Sequence, residues 1–566
     1  MTKTPKYPIE GVVYPSAEDA ARYQRVGAWH TLTAGNALRE AALRAPAKCA
    51  LVCDGQRVTY SEFDSASEKL GAALLDLGLR PGDRALFQMG SVIETAIALL
   101  ACAKAGVVPV CTLPQHRAIE IGALAERSEP KAYFVQADFG AFDLVQFAAE
   151  MAARHSIPHL VVARAGKKMA GGFLDFESLI HSHSYEQARA KLASVDVTIV
   201  DVLMFQLSGG TTNVPKIIPR FHGEFLGVVR AKTRRSSMDG DFVGLYAFPL
   251  IHTAGLISML YPSLLVAGTV VLMQRIEAKA FFTLIERERV THSASMGPGA
   301  NQMLEYDGIR NHDLSSLRLL TNFHGSEAME RHIGVPCLNV YALGEGLLTS
   351  SEPTSPKEMR YETVGWPLSP YDEIRLLEPG TERDVVPGEL GELCFRGPTM
   401  IRGYFRMPEL NRSIFTSDGY FRTGDILSVR YFGDQACYSF GGRIRDNINR
   451  GGEKFGAEEV ETVIGRHPEV LDVKVVATPD RIYGEKACAF LIMVPGARLL
   501  TVRDLGDFLT KEGLAKFKLP ERVEAIESFP VTQVGKVDKQ ALRALIAETV
   551  ARERAATPAS APQSSS

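Results

Sequence analysis

Residues 206–216 read QLSGGTTNVPK. Gly209 and Gly210 carry no Cβ, so backbone N–H groups at that point can close on an anion. Ser208, Thr211 and Thr212 add hydroxyl donors and Lys216 adds a positive charge, a set suited to phosphate. The loop is not of the Walker type. That type needs Gly-Lys-Ser/Thr, whereas Lys216 follows Pro215 and precedes Ile217. Asn213 is the non-glycine residue best able to take positive φ, so it can preserve a loop built around glycine. A polar hairpin loop could share this composition, so the reading turns on the surroundings. Immediately upstream, Thr198–Ser208 is apolar enough to predict a buried strand feeding the loop.

Further out, the chain alternates helix and strand patterns. In TYSEFDSASEKLGAALLDLGL (59–79), Phe63, Leu70, Leu74 and Leu77 fall at helical spacing, followed by the turn RPGD and the apolar run RALFQM. VIETAIALLACAKAGVVPVCTL (92–113) repeats that rhythm, which is that of an α/β domain. From about Asp372 the texture changes: DEIRLLEPG, GELGELCFRG and MIRGYF read as short strands of a β-rich subdomain. Beyond GGRIRDNINRGGEKFGAEEVE (441–461), Glu458 and Glu459 open a helix with Val460, Val463 and Ile464 as its stripe, and VLDVKVVATPD reads as a strand. The expected organisation is α/β: an N-terminal domain over 1–441 and an α+β C-terminal domain over 442–548. A tail over 549–566, ending in ATPASAPQSSS, lacks core-forming residues and is expected to be disordered.

The 566 residues are 46% hydrophobic and 23% charged, with a net charge of −3, so no basic field points to nucleic acid. The eight cysteines are scattered without a CxxC pair, which favours free buried thiols over a zinc site. The N-terminal stretch lacks the apolar run of a signal peptide, and no apolar run is long enough for a membrane span; a cytoplasmic protein is expected.

Other segments give the loop its meaning. FRTGD (421–425) places Asp425 after a tight glycine turn, where a carboxylate can accept from ribose hydroxyls. Arg443 precedes a glycine pair, and in PVTQVGKVDK (530–539) Lys536 follows Gly535; either cation could stabilise developing phosphate charge. YALGE (341–345) lies between the loop and these segments. In this order the motifs resemble the acyl-adenylate-forming superfamily, whose phosphate loop is Ser/Thr-Gly-Gly-Thr/Ser-Thr-Gly-x-Pro-Lys; Asn213 is the departure. ARYQRVGAWH (21–30), LPQHR (113–117), INRGGEKFGAEEVE and VGKVDK look most like the free-standing 2,3-dihydroxybenzoate–AMP ligases of siderophore assembly. The resemblance runs from about residue 20 to 545.

What the resemblance implies is a two-step reaction. A carboxylate attacks the α-phosphate of MgATP to give acyl-AMP, and a thiol then displaces AMP. The thiol belongs either to CoA or to the phosphopantetheine arm of a carrier protein supplied in trans. By similarity, Lys536 bridges carboxylate and α-phosphate, Ser208, Gly209, Gly210, Thr211, Thr212 and Lys216 hold phosphate, and Tyr341 stacks on adenine. Asp425 accepts from the ribose hydroxyls, Arg443 contacts ribose and phosphate, and Glu345 helps hold Mg²⁺. Arg445 occupies the hinge about which a mobile C-terminal domain turns, and Gly451 and Gly452 line the thiol tunnel. His252, Thr253, Ala254, Ser258, Phe323, Gly346 and Leu348 fall in the acid pocket, with His252 as the gating aromatic.

The pocket is also where agreement fails. FPLIHTAGLIS (248–258) has Thr253 and Ala254 where the dihydroxybenzoate enzymes have Asn and Tyr. TNFHGSEAMERHIGVPCLNVYALGE (321–345) puts Phe323 and His324 near expected glycines, in a segment several residues short of the family pattern. An aromatic or cyclic acid other than 2,3-dihydroxybenzoate is therefore expected. No acidic residue near Thr253 would pair an ammonium, which argues against α-amino acids. Two alternatives stand beside this reading: a CoA ligase for another acid, and a non-catalytic relative that only binds nucleotide or acid.

Overall fold

The computed structural model describes residues 4–166, 172–208, 215–247, 249–295, 298–323, 325–443, 447–530 and 537–556. The chain separates into two compact units, the larger holding the sheets formed up to Arg443 and the smaller the sheet formed from Asn447 onward.

Two α/β sheets dominate the larger unit. One has seven strands in the order Leu174–Asp175, His159–Ala163, Ala132–Gln136, Arg84–Gln88, Val108–Val110, Val202–Leu207 and Ile217–Phe221. Its pairings are parallel except for the last, which is antiparallel. The other has nine strands, and six consecutive ones run parallel, including Leu319–Asn322 and Cys337–Ala342. The helices predicted between strands form. Tyr60–Asp76 is capped by a Thr59–Glu62 capping box, which satisfies two N-terminal donors reciprocally. Ile93–Ala105 is buried along its whole length, its two charges, Glu94 and Lys104, being paired with Arg164 and Asp64. These helices and the inner faces of the strands share one continuous core.

The strand entering the loop is shorter than the sequence suggested. Thr198–Asp201 forms a turn in which the Thr198 N–H and hydroxyl both donate to Asp201, at 2.7 Å each, so the strand begins at Val202. The β-rich subdomain is a four-stranded antiparallel sheet of Glu373–Leu377, Gly391–Arg396, Phe421–Phe432 and Gln435–Arg443. MIRGYF (400–405), expected as a strand, is not one. Its N–H groups go elsewhere: Ile401 N donates to Glu345 O at 2.8 Å and Phe405 N to Ile217 O at 2.9 Å.

The smaller unit has a five-stranded sheet with the helices Ala457–Ile464, Val502–Lys511 and Lys539–Ala556. The last helix runs past 548, because ETVARERAA is mostly Ala, Glu and Arg, good helix formers; the expected boundary of the tail falls inside it. Residues 557–566 lie outside the described residues. Among the described residues no helix is long and apolar enough to cross a membrane. All eight cysteines are free thiols, seven of them buried.

Candidate active site

The ends of the glycine loop are held firmly. Ser208 N donates to Lys216 O at 2.9 Å, Lys216 N donates to Ser208 Oγ at 3.3 Å, and Leu207 pairs with Ile217. Lys216 Nζ lies 4.4 Å from the centroid of the Tyr404 ring, within cation–π range. Gly209, Gly210, Thr211, Thr212 and Asn213 lie outside the described residues.

Tyr341 ends a central strand, and its hydroxyl donates to Asp425 Oδ2 at 2.7 Å. Asp425 is 3% exposed and follows Gly424 at φ 72°. Its own N–H donates to Thr423 Oγ1 at 3.0 Å, and its backbone pairs with that of Arg443. Adenine and ribose candidates that are far apart in sequence thus meet through one hydrogen bond, with Phe440 6.2 Å from the Tyr341 ring. The Arg443 side chain lies outside the described residues.

The turn after Tyr341 is clamped from three sides. Arg220, 1% exposed, donates to Gly344 O at 2.7 Å while its other nitrogens engage Glu224. Ile401 N holds Glu345 O, and Tyr404 Oη donates to Glu345 Oε1 at 2.8 Å. Gly346 sits at φ 131°, and a Cβ there would lie 1.7 Å from Thr399 O, so only glycine fits. At Gly344 a Cβ would meet Ile218 Cδ1, the end of a side chain, at 3.0 Å. Thr399 in turn donates its hydroxyl to Asp372 at 2.8 Å, and burial pushes that carboxyl up to about 7.

The acid-side residues sit on a short helix, Thr253–Gly255, that continues as a π-turn over Leu256–Leu260. π-Turns recur at functional sites. His252 caps it, Nδ1 accepting from Ala254 N at 3.4 Å. His252, Thr253, Ala254 and Ser258 are half-buried, whereas Leu250, Ile251, Gly255, Leu256 and Ile257 are buried. The accessible side chains are thus the four that sequence placed in the pocket.

Thr253 makes a hydrogen bond to the Gln206 side chain. The Gln206 amide nitrogen lies 2.8 Å from Met204 Sδ and 3.5 Å from Cys111 Sγ. A thioether can only accept, so the amide N–H must face it, leaving the carbonyl oxygen for Thr253. Thr253 must therefore donate to Gln206 and offers only lone pairs elsewhere. Burial pushes the Cys111 thiol well up, so it remains protonated beside this amide. Phe323 packs on Leu319, Leu338 and Val340. Val340 and Ala342 share a strand face, and Ala342 pairs with Leu348. Phe248 and His324 lie outside the described residues.

In the smaller unit Gly451 and Gly452 form a turn, both at positive φ (64° and 98°). Gly451 N donates to Tyr483 O at 2.8 Å, and Arg450 lies 3.8 Å above the Tyr483 ring. Arg445 and Lys536 lie outside the described residues. On either side of Lys536, Asp538 N donates to Pro530 O at 2.7 Å.

Two participants escaped the sequence reading, Arg220 and Tyr404. Arg220 left a signal: a lone charge in the apolar run IIPRF with Glu224 four residues on, the spacing of a helical ion pair. Tyr404 left none, because its role depends on a segment read as a strand.

Two family models cover most of the chain: AMP-binding enzyme matches residues 38–405 and AMP-binding enzyme C-terminal domain matches 459–536. The chain belongs to the AMP-binding enzyme family. Among relatives in this family, pyochelin synthase PchD of Pseudomonas aeruginosa is 38% identical over 555 residues, covering 94% of this chain and 97% of its own. The 2,3-dihydroxybenzoate-AMP ligase of Bacillus subtilis is 35% identical over 543 residues, covering 94% and 97%. Among solved structures, apo MbtA of Mycobacterium smegmatis superposes with a TM-score of 0.71 at 30% identity, covering 94% of this chain and 98% of that one. The resemblance to adenylate-forming aryl-acid ligases read from the motifs holds, and so does the expected mixed α/β fold. A member of the AMP-binding enzyme family takes a nucleotide and a divalent cation, and the residues fit both. Glu345 is a buried carboxylate, and no cluster of three or more His, Cys, Asp or Glu side chains suited to a metal exists among the described residues. One carboxylate suits magnesium, which takes most of its oxygens from phosphate and water.

Proposed function

We propose that the protein activates a carboxylic acid with ATP and passes the acyl group to a thiol. A carboxylate oxygen attacks the α-phosphorus, the bond to the β-phosphate bridging oxygen breaks, and pyrophosphate leaves. In the second step a thiol sulfur attacks the acyl carbon, the bond to AMP breaks and the thiol proton is lost. The meeting of Tyr341 and Asp425, 84 positions apart, carries the reading: a phenol ring and a buried carboxylate present themselves together for a nucleoside. Glu345 would hold Mg²⁺, which supplies charge neutralisation for the phosphates. Lys216 and the glycine loop would steady the departing pyrophosphate, and Lys536, Arg443 and the hinge at Arg445 complete the set.

The acid is aromatic or cyclic, and 2,3-dihydroxybenzoate is not the preferred one; the exchange of Asn and Tyr for Thr253 and Ala254 motivates this. Because Thr253 offers only acceptors, the acid presents a hydrogen-bond donor to it. The acceptor thiol is the pantetheine of a carrier protein encountered in the cytoplasm, with CoA as the second candidate. Pyrophosphate release across a panel of acids is the test. Release with an aromatic or cyclic acid is expected; none with any acid refutes the activity, and a best kcat/KM for 2,3-dihydroxybenzoate or salicylate refutes the pocket reading. Single-turnover thioester formation with CoA against a pantetheinylated carrier decides the acceptor.

A further inference from the structure

The segment Met400–Phe405 has no strand partner, yet it is fixed at both ends to the two charged elements of the nucleotide site. Ile401 N donates to the backbone oxygen of Glu345, and Phe405 N donates to that of Ile217, the neighbour of Lys216. Between these bonds stands Tyr404, 2% exposed. Its hydroxyl donates to the Glu345 carboxylate at 2.8 Å, and its ring face lies under the Lys216 ammonium at 4.4 Å. One side chain therefore touches the candidate cation ligand through its edge and the candidate phosphate ligand through its face. Tyr404 itself has little freedom. Its N–H donates to Asn411 Oδ1 at 2.8 Å, its carbonyl accepts from Asn411 Nδ2 at 2.9 Å, and its ring packs edge-on against Phe421. A Cβ on the preceding Gly403 would meet Asn411 Nδ2 at 2.7 Å, so the close approach requires glycine.

We propose that Tyr404 is a positioning residue that sets Glu345 and Lys216 for a magnesium–nucleotide complex. This rests on the functional reading above. A neutral phenol suits this role, because it donates to the anion and offers π density to the cation without adding charge between them. The two contacts make separable contributions. The hydroxyl orients Glu345 and acts on Mg²⁺; the ring orients Lys216 and acts on phosphate whether or not the metal is present.

The proposal is tested by binding of a non-hydrolysable ATP analogue in titration calorimetry, with and without Mg²⁺, to the full-length protein and to Tyr404→Phe and Tyr404→Leu. For Tyr404→Phe, the Mg²⁺ concentration giving half-maximal enhancement of binding should rise by about tenfold, the size of one hydrogen bond to a charged group. Its metal-free affinity should stay within about twofold. Tyr404→Leu should also lose at least about threefold in metal-free affinity, the lower end of the range for a cation–π contact. Wild-type protein that binds no nucleotide overturns the functional reading, and this one with it. Wild-type binding with an unchanged Mg²⁺ requirement in Tyr404→Phe overturns the role of Tyr404 alone. A Tyr404→Leu variant with the metal-free affinity of Tyr404→Phe overturns the ring contact. Tyr404→Phe keeps the packing against Phe421, so the metal arm does not depend on Tyr404→Leu folding.

Discussion

Gln206 was legible only as the residue before a glycine loop, yet it settles the hydrogen-bond polarity of Thr253. Its amide is fixed by Met204, in its own strand, and by Cys111, just past the strand Val108–Val110; both look like ordinary core. Removing it should free the Thr253 hydroxyl to donate as well as accept. For the acid selected by the panel, the preference for a hydroxyl over its methyl ether should narrow by about fivefold in Gln206→Leu. Paired kcat/KM measurements on the two acids check this; an unchanged ratio would mean Thr253 does not face the acid. Gly346 illustrates the opposite case. Sequence placed it beside the acid, but its identity is dictated by the Thr399 carbonyl occupying the space of a side chain.

At the scale of elements, the strand Ile217–Phe221 does more than return the chain from the loop. It delivers Arg220 to Gly344 and so ties the phosphate hairpin to the turn bearing Glu345. Arg220→Met leaves Glu224 buried without its partner and should cost about 3 kcal/mol in denaturant unfolding. Adding Glu224→Leu should recover most of that stability, because a buried pair replaced by apolar residues is nearly neutral. It should not recover nucleotide affinity, since Gly344 O still lacks its donor. Recovery of both would reduce Arg220 to a packing residue. The α/β rhythm was readable because periodicity reports burial, which is what forms these helices and strands. MIRGYF misled because a short run rich in apolar residues also suits a coil whose N–H groups are satisfied by distant carbonyls, here Glu345 and Ile217. Local sequence carries no record of those partners. The end of the Thr198–Ser208 strand misled for a related reason: Asp201 offers a side-chain acceptor that competes with the ladder. The motifs named Tyr341 and Asp425 separately, one for adenine and one for ribose; the hydrogen bond between them needed the fold.

For the whole molecule, acidity is a route to unfolding. Burial lowers His222 to about 3 and His292 to about 4, so both stay neutral in the folded state. An unfolded chain takes up protons near 6.5, so the stability they contribute is complete above that pH. It declines as pH falls toward 4, by about 1 kcal/mol per histidine per pH unit. His222 accepts from Ala34 N at 3.1 Å, which an asparagine oxygen can imitate. His222→Asn should therefore flatten the fall in unfolding midpoint between pH 6.5 and 5; an equal slope in both proteins would contradict this. The cysteines point to a different kind of protection. Acyl-AMP is a mixed anhydride that any accessible thiolate will attack. Seven of the eight thiols are buried, and desolvation raises Cys53, Cys394 and Cys488 to about 12. A protein that manufactures an acylating agent thus keeps seven of its own sulfurs out of reach, which limits self-acylation.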